Sequence, residues 1–73
     1  MKLDQTRPGF KGLISSIEGD AHLVSRVTSI GIVPGSEVEV LMNSSKQPML
    51  LFLKDSMIAL NKEDAGRIEV SEK

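Results

Sequence analysis

Ile30-Gly31-Ile32-Val33-Pro34-Gly35-Ser36-Glu37-Val38-Glu39-Val40 decides the architecture, because it ends a helix, makes a turn and opens a strand in one short run. Gly31 follows an apolar helical stripe and predicts the helix stop, since the left-handed conformation that closes a helix costs glycine least. Ile32 then falls where an apolar residue folds back onto the last turn, toward Val27. Pro34-Gly35 predicts a type II turn: proline fixes its own φ, and the glycine suits the position that needs φ > 0. From residue 37 to 42 the pattern alternates, with Val38, Val40 and Met42 on one face and Glu37, Glu39 and Leu41 on the other. That is the pattern of a half-buried strand.

Upstream, Pro8-Gly9 marks a turn after a short lead-in, and residues 12 to 18 read as a strand with imperfect alternation, since Ser15 and Ser16 interrupt Leu13, Ile14 and Ile17. Asp20 stands where it can cap a helix over residues 21 to 30. In that helix Leu23, Val24, Val27 and Ile30 share one face, while His22, Ser25, Arg26 and Ser29 take the other. Its β-branched residues make it depend on packing. Downstream, residues 43 to 47 form a polar hairpin loop, and residues 48 to 54 form a strand apolar on both faces, as expected at the centre of a closed or covered sheet. Asp55-Ser56 predicts a tight turn, residues 57 to 60 return antiparallel, and residues 62 to 66 make one helical turn. Residues 67 to 70 form a last strand, with residues 71 to 73 expected to fray.

A chain of 73 residues has room for a single domain over residues 1–73, and at this size only about 60% of the unfolded surface is buried. The net charge of -1 gives no long-range attraction to nucleic acid or an anionic membrane. Phe10 and Phe52 are the only aromatic residues, which leaves little for a base to stack on. The absence of cysteine excludes disulfides, thiolate metal sites and cysteine nucleophiles. Residues 1 to 5 carry no apolar core of signal-peptide length and no run approaches about 18 apolar residues, so a cytoplasmic protein without membrane insertion is expected.

The segment Pro8-Gly9-Phe10-Lys11-Gly12-Leu13-Ile14-Ser15-Ser16-Ile17-Glu18-Gly19, the run from Ile30 to Val40, Ala59-Leu60, and Glu63-Asp64-Ala65-Gly66-Arg67-Ile68-Glu69-Val70 follow one another in order. Together they resemble the FeoA family of bacterial ferrous iron transport over nearly the whole chain. The resemblance implies a mostly β fold, a small SH3-like barrel of about five strands with one short helix inserted after the first. It implies a regulatory, non-enzymatic interaction protein whose partner is FeoB, a membrane transporter with a cytosolic GTPase domain that would recruit it to the inner membrane. This chain departs from the family pattern at Lys46-Gln47-Pro48, where Gly-Asp-Pro is usual, at Asn61, where a basic residue is common, and at Asp55, where glycine is frequent. The other function considered is a stand-alone SH3-like peptide-binding module related to the C-terminal domain of iron-dependent repressors.

Catalysis requires a nucleophile, a base and an orienting group, and the lone His22 has no partner suggested by spacing. Glu18, Asp20 and His22 around one turn are the only conceivable Fe²⁺ ligands, though each also serves as an ordinary cap or solvated group. Glu37 and Glu39 share a strand face without the burial an acid/base pair needs. No catalytic residue, metal ligand or cofactor is therefore expected. Apolar surplus stands out instead. A groove between helix and sheet lined by Leu23, Val24, Val27, Ile32, Met42 and Met49, with Arg26 on its rim, would take a partner segment; the same residues would equally serve as core if the helix lids the sheet. Weak self-association is also expected, because residues 49 to 53 form an apolar, uncharged, β-prone run.

Overall fold

The computed structural model describes residues 1–73. Five strands form one antiparallel sheet: β1 (Lys11–Ile17), β2 (Glu37–Met42), β3 (Met49–Leu53), β4 (Ser56–Leu60) and β5 (Ile68–Glu72), in the order β4-β3-β2-β1-β5. The outermost strands do not pair, so the sheet curls around its core without closing through hydrogen bonds. The helix α1 (Ala21–Ser29) follows β1, and the single turn α2 (Lys62–Ala65) precedes β5.

The organising stretch folds as its residues dictate. Gly31 sits at φ +100°. Its N–H donates to the carbonyl of Thr28 (3.0 Å), and the Ile32 N–H donates to the carbonyl of Val27 (3.0 Å). This is the Schellman pattern, and Ile32 and Val27 are both wholly buried beside it. Gly35, at φ +92°, completes the type II turn, closed by the Ser36 N–H to the Val33 carbonyl (3.1 Å). The turn is stitched to β1 by Gly35 N–H to Ile14 O (2.8 Å) and Ile14 N–H to Ser36 O (2.9 Å). At the other end of α1, Asp20 Oδ1 accepts from the Leu23 N–H at 2.9 Å, the cap expected from its position.

Two bulges explain where alternation in the sequence misleads. In β1, Ile14 pairs with Val70 but Ser16 with Glu69, so Ser15 is an extra residue and Ile17, opposite Ile68, turns inward. In β2, Val40 pairs with Leu51 but Met42 with Leu50, so Leu41 is the extra residue and Met42 is carried to the outer face. Val38 and Val40 remain inside as expected; Met42 does not. The β3–β4 turn also lies one residue earlier than the sequence predicts: Leu53 pairs with Ser56, and Lys54 (φ 49°) and Asp55 (φ 64°) form a type I′ turn. Aspartate tolerates that conformation, which rationalises its presence where the family pattern has glycine.

The core gathers the inner faces of all five strands with Leu23 and Val27 of α1, Ile32, and Ala65 of α2. Leu3, from a 3₁₀ turn (Leu3–Gln5), plugs one end and is wholly buried, so the lead-in is part of the core. The C-terminal residues expected to fray instead extend β5, pairing Ser71 with Leu13 and Glu72 with Gly12. A Cβ on Gly12 would lie 2.2 Å from the Ser71 carbonyl oxygen, so the close β1–β5 approach requires a glycine there.

Candidate interaction surface

The residues expected to line a groove do not converge on one. Leu23, Val27, Ile32 and Met49 are buried in the core, Val24 is half-buried, and Met42 lies on the far face of the sheet. The helix lids the sheet with Leu23 and Val27, because a domain this small needs its inner face for its own core. Arg26 is exposed but engaged: its Nη2 donates to Asp64 Oδ1 (2.9 Å) and its Nε to Asp64 Oδ2 (3.3 Å). This fork ties α1 to α2, whose own start is capped by Asn61 Oδ1 accepting the Asp64 N–H at 2.7 Å.

Apart from Met1 and Ile30 at the end of α1, which are exposed singly, the unspent apolar surface is on the outer face. The register aligns Glu39, Phe52 and Met57 across β2, β3 and β4, and aligns Met42, Leu50 and Ala59 one step along. Phe52 is 37% exposed, Met42 51% and Met57 64%. Toward β1 the same face turns charged: Lys11 sits opposite Glu39, Leu13 opposite Glu37, and Lys73 Nζ contacts the Glu37 carboxylate. The outer face is thus polar over β1 and the Glu37–Glu39 part of β2, and apolar over Met42, β3 and β4. A hollow of about 370 Å³ lies on this boundary, with Phe52 beside Lys11, Lys54 and Lys73.

The apolar half ends at an open edge. In a hairpin with a two-residue turn the closing pair, here Leu53 and Ser56, exchanges hydrogen bonds, and bonding alternates from there. Ser56, Ile58 and Leu60 therefore bond inward to β3, while Met57 and Ala59 turn their N–H and C=O groups outward. The opposite edge is occupied. Lys2 bridges Glu69, and the Val70 N–H donates to the Met1 carbonyl at 2.8 Å. The Met1 amino group donates to Glu69 Oε1 (2.8 Å), and Lys2 Nζ reaches Glu18 Oε1 (2.8 Å). The hydrogen bond from the Met1 amino group, reinforced by Lys2, holds the Glu69 carboxyl below its ordinary range. The Glu18 hydrogen bond, with Glu69 nearby, raises the Lys2 ammonium above its own.

A second, polar hollow of about 400 Å³ lies between α1 and α2, where His22, Arg26, Arg67, Asp20, Glu63 and Asp64 mix both signs of charge. Glu18, Asp20 and His22 do not form a cation cage: no three His, Asp or Glu side chains converge to hold a metal ion. Glu18 faces Lys2, and Asp20 is spent on the helix cap. No helix is long and apolar enough to cross a membrane. The two-sided apolar character of β3 is the sequence signal for the outer stripe, whereas Phe52, Met57 and Ala59 lie outside the groove expected beside the helix. Asp64 gave no such signal, since only the fold brings it to Arg26.

A family model described as the FeoA domain matches residues 1–72. The fold superposes with a TM-score of 0.96 on the crystal structure of an iron uptake regulatory protein, FeoA, at 27% identity, covering 100% of this chain and 97% of that one. It is similar to the zinc-complexed FeoA of Stenotrophomonas maltophilia, described as a prokaryotic SH3 domain protein, with TM-score 0.82, 21% identity and coverage of 97% and 89%. A manganese-dependent transcriptional repressor shares the fold at TM-score 0.92 and 23% identity, this chain spanning 41% of its length. A search of curated proteins gave no significant match.

Proposed function

Because the chain belongs to the FeoA domain family, which is linked to ferrous iron transport, we propose that it is an accessory regulator of that transport and not itself an enzyme. It binds the cytosolic GTPase part of an FeoB-type transporter through the open β4 edge and the apolar stripe beside it. Working in the cytoplasm, it is drawn to the inner membrane by that partner. One observation carries this: the edge whose backbone groups at Met57 and Ala59 are unpaired borders the half of the outer face that exposes Met42, Phe52 and Met57. An extended segment added to β4 gains main-chain hydrogen bonds and covers apolar side chains in the same event. The stripe carries the specificity, the edge the orientation.

The test is binding of the detergent-solubilised transporter by the wild type and by Met57→Glu, Phe52→Glu and Val24→Glu, together with transporter GTP turnover. Loss of binding by about tenfold or more is expected for the first two, consistent with removing a central apolar contact. Unchanged binding by both, with the fold intact, refutes the surface, and selective loss in Val24→Glu moves it to α1. The likeness to the repressor favours one other function, a stand-alone SH3-like module that takes a peptide on the same edge. In that case an apolar peptide binds but the transporter does not.

A further inference from the structure

We propose that in the absence of another partner the β4 edge is occupied by a second copy of this chain, paired antiparallel about a two-fold axis at Ile58. The outward groups are those of Met57 and Ala59, so a two-fold placing Met57 opposite Ala59 of the other copy forms four backbone hydrogen bonds with Ile58 facing its counterpart at the centre. No other register centred on this strand uses both outward pairs.

Charge permits this pairing. β4 contains no charged residue and no proline, the devices that ordinarily keep an edge from pairing with its own copy. At each end the same register brings the Lys54–Asp55 turn alongside the segment Asn61, Lys62 and Glu63 of the other copy. It sets Asp55 opposite Asn61 and Lys54 opposite Lys62, with Asp55 and Glu63 beside the two lysines, so each end carries two bases and two acids and no net charge. The β5 edge cannot do the same, because Met1 and Lys2 already cover it.

A five-residue edge with its flanking side chains covers much less than the roughly 800 Å² per partner of a stable complex. The dimer is accordingly weak, with a dissociation constant on the order of 0.1 mM. The edge geometry alone carries this pairing. Its consequence, that self-pairing and transporter binding exclude one another, rests on the function proposed above.

Sedimentation of the isolated full chain over a concentration series tests the pairing without involving the transporter, and amide hydrogen exchange locates it. Mass is expected to rise from monomer toward dimer with concentration, and the Met57 and Ala59 amides to slow in step. Ala59→Lys, at an exposed position, and Ala59→Pro, which removes an outward N–H, each weaken association by about tenfold or more. A monomer at all concentrations overturns the proposal. So does a dimer in which the Met57 and Ala59 amides of the wild type stay unprotected, or one that folded Ala59→Lys leaves unchanged.

Discussion

Removing the guanidinium of Arg26 separates the two roles open to that residue, partner contact and internal brace. The fork to Asp64 has contacts of 2.9 and 3.3 Å, and the Asp64 side chain is only 11% exposed while that of Arg26 is 58% exposed. Fully exposed ion pairs contribute about 0–1 kcal/mol, and hydrogen bonds to charged groups about 1.5–3 kcal/mol. One partner here is nearly out of water and the other largely in it, so the coupling falls between, at about 1–1.5 kcal/mol. Arg26→Ala should cost about 1–2 kcal/mol, since it also strands a carboxylate at the start of α2 and strips the arginine stem from α1. A double-mutant cycle with Asp64→Asn, read by urea unfolding at low salt, isolates the coupling. In thermal melts a loss of that size lowers Tm by about 4–8 °C per kcal/mol for a domain of this length. Coupling within about 0.3 kcal/mol of zero, with Arg26→Ala as stable as the wild type, refutes the brace and returns Arg26 to the pool of partner contacts.

Gly31→Ala should destabilise by about 1–2 kcal/mol through backbone strain alone, because Gly31 sits at φ +100° and an added Cβ meets only Lys54 Cδ at 4.0 Å. Gly31→Asn should cost less than Gly31→Ala, and a neutral alanine variant in urea unfolding would refute the helix-stop assignment. Glu69→Gln should lower Tm near neutral pH. The folded-state pKa of Glu69 is depressed, so its stabilisation is present above the ordinary carboxylate value of 4.5 and is lost as pH falls below that. The gap between wild type and variant should therefore close in acid, and a gap constant with pH would show that the carboxylate charge plays no part.

The sequence was most informative where local chemistry is sufficient. Gly31, Pro34-Gly35 and the Asp20 cap each act through their own backbone geometry or a partner three residues away, and all three lie where residue type predicts. It was least informative where a tertiary contact overrides a local pattern. Period-two alternation put Met42 inside, but a bulge, invisible to periodicity, reversed it. Residue type predicts Asp55 and Ser56 in the turn, whereas the register puts Lys54 and Asp55 there, because a lysine gives no hint of a positive φ. The lead-in and the C-terminal residues looked unstructured in isolation. They gain order from tertiary contacts, Leu3 in the core and Ser71 and Glu72 paired with Leu13 and Gly12 of β1. The FeoA resemblance reached the fold, whereas apolar spacing fails to distinguish a groove lining from a core, and Leu23, Val27, Ile32 and Met49 lie in the core.

That failure bears on where a domain this small can act. The buried inward residues of the five strands and Leu23 and Val27 of α1 are consumed in one cluster, so any partner that needed Val27, Ile32 or Met49 would first have to lift the helix from the sheet. Burying one such side chain is worth about 1.5–3 kcal/mol, and a domain's whole stability is about 5–15 kcal/mol. Exposing several of them would therefore unfold the protein it meant to bind. What can be offered at no cost to the core is what the core does not use: the outer side chains of β3 and β4 and the outward backbone groups of Met57 and Ala59. The covering of β5 by Met1 and Lys2 makes the choice one-sided. A single free edge flanked by the apolar half of the outer face confines association to one direction, which suits a module that must dock in one orientation and release.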